Sequence, residues 1–321
     1  MRKFALSLLP LLAAPAWSVP SWTQKPFGIL LLAHGGSSEW NKAVLKIRDA
    51  LASRQPAEAA FGMADSVEIQ RALDKLEARK VSKIIAVPLF ISSDSEVMDQ
   101  TRYVLGIRKE PSRDFMSAPH SHRHSVTLKR IRAKLPIVMT NAIDDHPIVA
   151  RILLDRAKEM SRAPGKEAVV LIGHGPLRDD MDARWLKTMQ ALGDFVQREG
   201  GFASVHAATL RDDAPAPVRE KADRELRALV GRLSRQGKVL VVPHLISRGG
   251  IERHIQRSLE GLFYEWTGKT LLPDDRIVAW ARETAEKSAG VENMRLHKDG
   301  GRALPPTRRP LGGSGGISHG N

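Results

Sequence analysis

The chain has 321 residues, 50 Lys and Arg against 36 Asp and Glu for a formal net charge of +14, and no cysteine. Without thiols it forms no disulfide, no thiolate metal site and no lipidated N-terminal cysteine. The positive charge is spread along helical stretches with no basic–aromatic interleaving, which excludes nucleic acid as the expected partner and leaves anionic small molecules or surfaces to feel the field.

Residues 1–18 read as an export signal. Arg2 and Lys3 precede an apolar run from Phe4 to Ala14, and small residues at Ala14, Ala16 and Ser18 offer a cleavage site. That run is too short to span a bilayer, and no later run is long enough, so the expected location is periplasmic or secreted with no transmembrane segment. Phe27–Gly36 (FGILLLAHGG) is a continuous apolar run ending in His34-Gly35-Gly36, the mark of a buried strand. Apolar residues at Trp40, Val44, Ile47 and Leu51 predict a helix over 39–53, and Val67, Leu73 and Leu76 another over 67–79. Lys83–Ser92 (KIIAVPLFIS) is the next strand, followed by a loop with Asp94, Glu96 and Asp99. His120, His122 and His124 alternate along one segment and share a face if it is extended, a weak metal-gathering pattern. A helix over 149–160 and the linker Ala163-Pro164-Gly165 close this part.

The order of signals then repeats. Ala168–Pro176 (AVVLIGHGP) ends in His174-Gly175, a helix is predicted over 218–233, and Lys238–Ser247 (KVLVVPHLIS) matches KIIAVPLFIS. Asp274-Asp275 before Ile277 echoes Asp144-Asp145 before Ile148. Such a duplication predicts an α/β chain of two similar lobes, over 25–162 and 166–290. Each lobe is expected to be a parallel sheet flanked by helices, with a cleft between the two. Residues 291–321, rich in Gly, Pro and Arg toward the end, are expected to be a disordered tail.

In parallel α/β sheets ligands bind beyond the carboxyl ends of the strands. His34 and His174 stand there in equivalent places, which favours a functional over a structural reading. Glu96, six residues beyond its strand, is within reach of a ligand held by His34. An imidazole facing a carboxylate can bind a divalent metal or relay protons. The second copy replaces Glu96 by Ile251 and adds His244, Arg248, Arg253 and His254, a basic set suited to substrate carboxylates. Histidine phosphatases also carry a His at the first strand end, but Ala33 and Gly173 stand where their signature needs Arg.

With LLLAHGGSS, Ala60-Phe61-Gly62, VPLFIS and Asp144–Val149 in order, the chain resembles the sirohydrochlorin chelatase family, the cobalt- or iron-inserting enzymes of cobalamin and sirohaem synthesis. The resemblance covers about residues 27–160, with a weaker copy through 288. It implies a class II chelatase: two parallel α/β lobes about a cleft, inserting a divalent metal into a tetrapyrrole such as sirohydrochlorin as pyrrole protons leave. The family's first active-site His maps onto His34 and its second onto Glu96, a departure that resembles the His/Glu pair of protoporphyrin ferrochelatases. The expected site is therefore His34, Glu96 and His174 as catalytic residues, His34 and Glu96 facing the metal, and His244 and Arg248 facing the substrate. Co²⁺, Fe²⁺ or Ni²⁺ would be the metal substrate, with no organic cofactor, and a homo-oligomer is compatible with the sequence. Export departs from the family's usual cytoplasmic setting, although periplasmic relatives of the anaerobic cobaltochelatases occur. A non-catalytic periplasmic protein that binds a haem-like tetrapyrrole or a metal is the alternative.

Overall fold

The computed structural model describes residues 26–117 and 129–297. The export-signal reading of residues 1–18, the His120/His122/His124 cluster and residues 298–321 lie outside the described residues. Strands and helices alternate through both halves. The first half runs β1 (Gly28–Ala33), α1 (Ser38–Ala52), β2 (Ala57–Phe61), α2 (Ser66–Ala78), β3 (Ile84–Leu89), α3 (Glu96–Val104), α4 (Arg113–Ser117), β4 (Ile137–Met139) and α5 (Pro147–Met160). The second runs β5 (Glu167–Gly173), α6 (Asp179–Gly200), β6 (Ser204–Thr209), α7 (Ala216–Leu233), β7 (Lys238–Pro243), α8 (Ile251–Ser258), β8 (Glu265–Trp266) and α9 (Asp275–Lys287). Each half makes one four-stranded parallel sheet, in the orders β2-β1-β3-β4 and β6-β5-β7-β8. The same strand order appears twice, as the sequence repeat predicts.

The apolar runs become strands buried on both faces because helices cover each side. Along β1, Leu30 and Leu32 point to a core shared with α2 and α3, while Ile29, Leu31 and Ala33 point the other way. Along β5, Val170 and Ile172 likewise face a core with α7 and α8, and Val169 and Leu171 face away from it. The inward faces of both sheets meet in one apolar layer that takes in α1, α5, α6 and α9. At about 25 cal/mol per Å² of apolar surface, that layer makes the two lobes one hydrophobic unit.

The terminal helices of the two halves are exchanged. α5, which ends the first half, packs on β7 and α6 of the second, and α9, which ends the second, packs on β3 and α1 of the first. Polar bonds follow the same exchange. Arg156 of α5 donates to the carbonyls of Thr270 (3.1 Å) and Pro273 (3.4 Å), and Lys83 before β3 donates to those of Ala289 (2.8 Å) and Val291 (2.6 Å). The lobe boundaries drawn from the sequence thus follow the chain, whereas the packing crosses them.

The tail drawn from residue 291 begins too early. The Met294 N–H donates to the Ile137 carbonyl (2.9 Å), and Arg295, 7% exposed, donates to the carbonyls of Leu105 (3.0 Å) and Ala133 (3.0 Å). Residues 293–297 therefore cover the open edge at β4, an edge that would otherwise present unpaired backbone groups. Among the described residues no helix is long and apolar enough to cross a membrane.

Candidate active site

Both His-Gly turns are built alike. Gly35 (φ +79°) and Gly175 (φ +78°) take the left-handed conformation that follows each strand end, which a side chain would strain. At Gly175 a Cβ would also come within 2.8 Å of the Thr209 Cβ. These turns place His34 beyond β1 and His174 beyond β5, at the carboxyl edges of the two sheets. His34 is exposed, with Nδ1 2.6 Å from the Gly35 carbonyl and its ring 6.4 Å from that of Trp40. A carbonyl only accepts, so Nδ1 carries the proton and the Nε2 lone pair faces outward, the tautomer a metal ligand needs.

His174 is held differently. Nδ1 lies 2.8 Å from the Gly175 carbonyl, and Nε2 lies 3.3 Å from a carboxylate oxygen of Asp213. Both ring nitrogens face oxygens, so His174 has no lone pair free for a metal while Asp213 is in place. Arg211 fixes this corner. It is 6% exposed, its backbone is left-handed (φ +54°), and its N–H bonds the His174 carbonyl (2.8 Å). Its guanidinium donates to the Pro176 carbonyl (2.6 Å) and pairs with Asp179 (3.0 Å) and Asp182 (3.4 Å). The loop after β6 therefore folds over the turn after β5 and delivers Asp213 to His174.

Glu96 is the first residue of α3, whose N-cap is Ser95. The carboxylate-at-N-terminus arrangement is ordinary, but the burial is not: Glu96 is 7% exposed and its Oε2 has no hydrogen-bond partner. Burial is the main cause of a raised pKa, opposed by a bond to its own backbone N–H. The charges that act on it are Asp213, which raises it, His174, which lowers it, and Asp114 of α4, which raises it. Two of these three belong to the second lobe. The sequence pairs Glu96 with His34 of its own lobe, yet two of its three electrostatic partners are in the other lobe, and no hydrogen bond or ion pair joins Glu96 to His34 among the described residues. Nor do three or more His, Asp or Glu side chains gather there into a ready-made metal cage.

His244 is corrected. It follows β7 directly, is 1% exposed, and neither ring nitrogen has a partner; burial lowers its pKa to about 4. A sealed, neutral imidazole touches no substrate. Arg248, in the β7–α8 loop, is exposed at the carboxyl edge.

The sequence reading passes over the aspartates after β6. Asp212 bonds His254 Nδ1 (2.5 Å), and Asp223 bonds the other ring nitrogen (3.2 Å) and accepts from the Ser258 hydroxyl (2.8 Å). These groups, with Arg219 and Arg257, line a surface pocket of about 410 Å³. Asp212, Asp223, His254 and Ser258 are bonded to one another and brace α7 against α8. In the sequence Asp212-Asp213 follow a strand's carboxyl end, the same kind of edge at which His34 stands.

Residues 28–160 match the CbiX family model. A curated sirohydrochlorin cobaltochelatase from Methanococcoides burtonii is 24% identical over 137 residues, which is 41% of this chain and 95% of that relative. Nearly the whole of that relative thus corresponds to the first lobe. Among solved structures, SirB from Bacillus subtilis with Fe³⁺ superposes with a TM-score of 0.58 at 17% identity, covering 84% of this chain and 99% of that one. A cobalt complex of the sirohydrochlorin chelatase SirB from B. subtilis subspecies spizizenii gives 0.52 at 15% identity, with the same coverage of 84% and 99%. DR2241 from Deinococcus radiodurans, described as similar to chelatases, gives 0.52 at 16% identity over 84% of this chain and 56% of that one. The first lobe, residues 28–160, is thus similar to the CbiX family, and the whole chain has a two-lobed, chelatase-like α/β fold.

Proposed function

We propose that the chain inserts a divalent metal, Co²⁺ or Fe²⁺, into a tetrapyrrole of the sirohydrochlorin type. The CbiX match over the first lobe and the chelatase-like fold support the reaction class, and the relatives' cobalt and iron support the metals. The observation that carries the reading is Glu96: a buried carboxyl with an unpartnered oxygen, set against the His174–Asp213 pair of the opposite lobe. Insertion exchanges M²⁺ for two pyrrole N–H protons. A carboxylate whose pKa is raised by burial is a stronger base than an exposed one, and Glu96 takes one proton. His34, with Nε2 open to solvent, meets the metal or passes the second proton to water. His174, held between Gly175 and Asp213, favours the ionised form of Glu96 and serves as no metal ligand. Few protein donors suit a metal that is substrate, since the macrocycle nitrogens must replace them. Arg248 meets substrate carboxylates at the edge of the second lobe. The export-signal pattern of residues 1–18 supports an activity outside the cytoplasm, which fractionation of the producing cells checks.

The test is spectroscopic. Purified full-length protein is mixed with sirohydrochlorin and Co²⁺ or Fe²⁺, and the macrocycle's absorbance is followed. Glu96→Gln and His34→Ala are each expected to lower the insertion rate about 10²–10⁴-fold, the range for loss of an acid–base group. A bound spectrum with no metallation in the wild type would make the chain a tetrapyrrole carrier instead.

A further inference from the structure

The turn that delivers Glu96 is gripped from both lobes. On its own side, Asp144 accepts from the Ser93 backbone N–H (2.6 Å) and from the Ser93 hydroxyl (2.7 Å). On the other side stands the start of α6. Trp185 Nε1–H donates to the Asp94 carbonyl (2.6 Å), and Arg184 pairs with the Asp94 carboxylate (3.0 Å). Arg178, the residue before α6, pairs with Asp114 (3.1 Å), one of the charges that act on Glu96. Asp94 lies two residues before Glu96, and Arg178 lies four residues after His174. One short stretch of the second lobe therefore carries His174 at its start and holds both segments that flank Glu96.

We propose that Arg178, Arg184 and Trp185 are positioning residues that fix the turn carrying the Glu96 carboxyl against the second lobe, so that this lobe, which has Ile251 in place of its own Glu, positions the proton acceptor of the first. This rests on the metal-insertion reading of Glu96. The contacts are unequal. Trp185 is 8% exposed, so water cannot replace its N–H bond to Asp94, whereas Arg184 and Asp94 are both about half exposed and their ion pair is screened. Trp185 is the main clamp, and the arginines trim it. A carboxyl that must meet a pyrrole N–H tolerates little displacement, because even a shift of about 1 Å away from reacting geometry can cost 10²-fold in rate.

The test uses the full-length protein, Co²⁺, sirohydrochlorin and hydrogen–deuterium exchange. Trp185→Phe keeps an aromatic ring and removes the donor. It is expected to lower kcat about tenfold with KM changed less than about twofold, as loss of transition-state positioning does. It is also expected to speed amide exchange at residues 94–99 while the rest of the chain keeps its protection. Arg184→Gln, at an exposed site that folding tolerates, is expected to show the same pattern at roughly a third of the size in rate, in keeping with a screened pair. Unchanged exchange at 94–99 in Trp185→Phe, or faster exchange across both lobes alike, overturns the clamp. If the wild type inserts no metal, the proposed function falls, while the exchange experiment still decides whether Trp185 holds the Glu96 turn.

Discussion

At the end of β7, His244 stands where the first sheet has Leu89: Pro88 pairs with Leu32, and Pro243 with Ile172. Leu89 is fully buried in the apolar layer between the sheets, and alternation along β7 aims His244 at the same layer, beside Val242 and Ile246. An imidazole there gives up two hydrogen bonds to water and receives none, a cost of about 1–3 kcal/mol for an unsatisfied buried group. His244→Leu, which restores the residue of the sister lobe, should therefore raise the unfolding free energy by about that amount in denaturant titration. The pH dependence follows from the folded pKa of about 4, below the unfolded value of about 6.5. Between these values the unfolded chain binds the extra proton, so His244 costs stability progressively as pH falls from about 6.5 to about 4, by up to roughly 3 kcal/mol. The leucine variant should lose that slope, and an unchanged slope would show that His244 is partnered in solution. The same residue shows what sequence can and cannot tell. KVLVVPHLIS announces the strand, but only the packing decides whether a His at its end faces the cleft or the core. Likewise Asp213 reaches His174 through the left-handed Arg211, a conformation that no pattern in RDDAP announces.

Among the elements, those that were plain in the sequence are the ones with the strongest physical signal. β1, β3, β5 and β7 are central strands buried on both faces, so they read as unbroken apolar runs. α1, α2, α5 and α7 fall within two residues of the expected spans because their apolar stripes repeat at helical spacing. β4 and β8 are short edge strands of three and two residues, too brief to set up a period. The two Asp-Asp signals also part company in three dimensions. Asp274 caps α9, accepting from the Arg276 N–H (3.0 Å), whereas α5 is capped by His146 and the left-handed Asp144 is released to hold Ser93. One extra residue, His146, shifts the cap and frees a carboxylate for the Glu96 turn. The brace between α7 and α8 is where an element-scale prediction belongs. The bond to Asp212 is the main cause that raises the His254 pKa, and the same bond is the main cause that lowers that of Asp212. For His254 the stabilisation is complete below the unfolded pKa of about 6.5 and fades as pH rises through the raised folded value. For Asp212 it is complete above about 3.9 and fades as pH falls through the lowered one. Both are intact between about pH 4 and pH 6.5, so the melting temperature of His254→Gln should lag the wild type most in that window and approach it by about pH 9. A gap independent of pH would mean that His254 acts by packing alone.

For the whole molecule, the exchange of α5 and α9 matters more than the repeat that produced it. Both helices are amphipathic, and nothing in an apolar stripe states which sheet it will cover, so the sequence predicts two lobes and stays silent on their interlock. In the structure the first sheet is finished by α9, whose Trp280 is 2% exposed, and by residues 293–297 along β4, while the second is finished by α5. Neither sheet has its full covering until the other half of the chain is present. The candidate site follows the same rule: its carboxyl comes from one lobe, two of the three charged groups acting on that carboxyl come from the other, and the start of α6 ties the two. If this is right, calorimetry of the full-length protein should show one cooperative transition whose calorimetric and van't Hoff enthalpies agree. A chain ended after Pro273 should lose the fold of its first half, although all the strands of that half are retained, because β3 and α1 would then expose the apolar face that α9 covers. Two separable transitions, or a truncated chain that keeps native near-ultraviolet dichroism, would show instead that each lobe is complete in itself, and with that the case for a site shared between them would lose its structural ground.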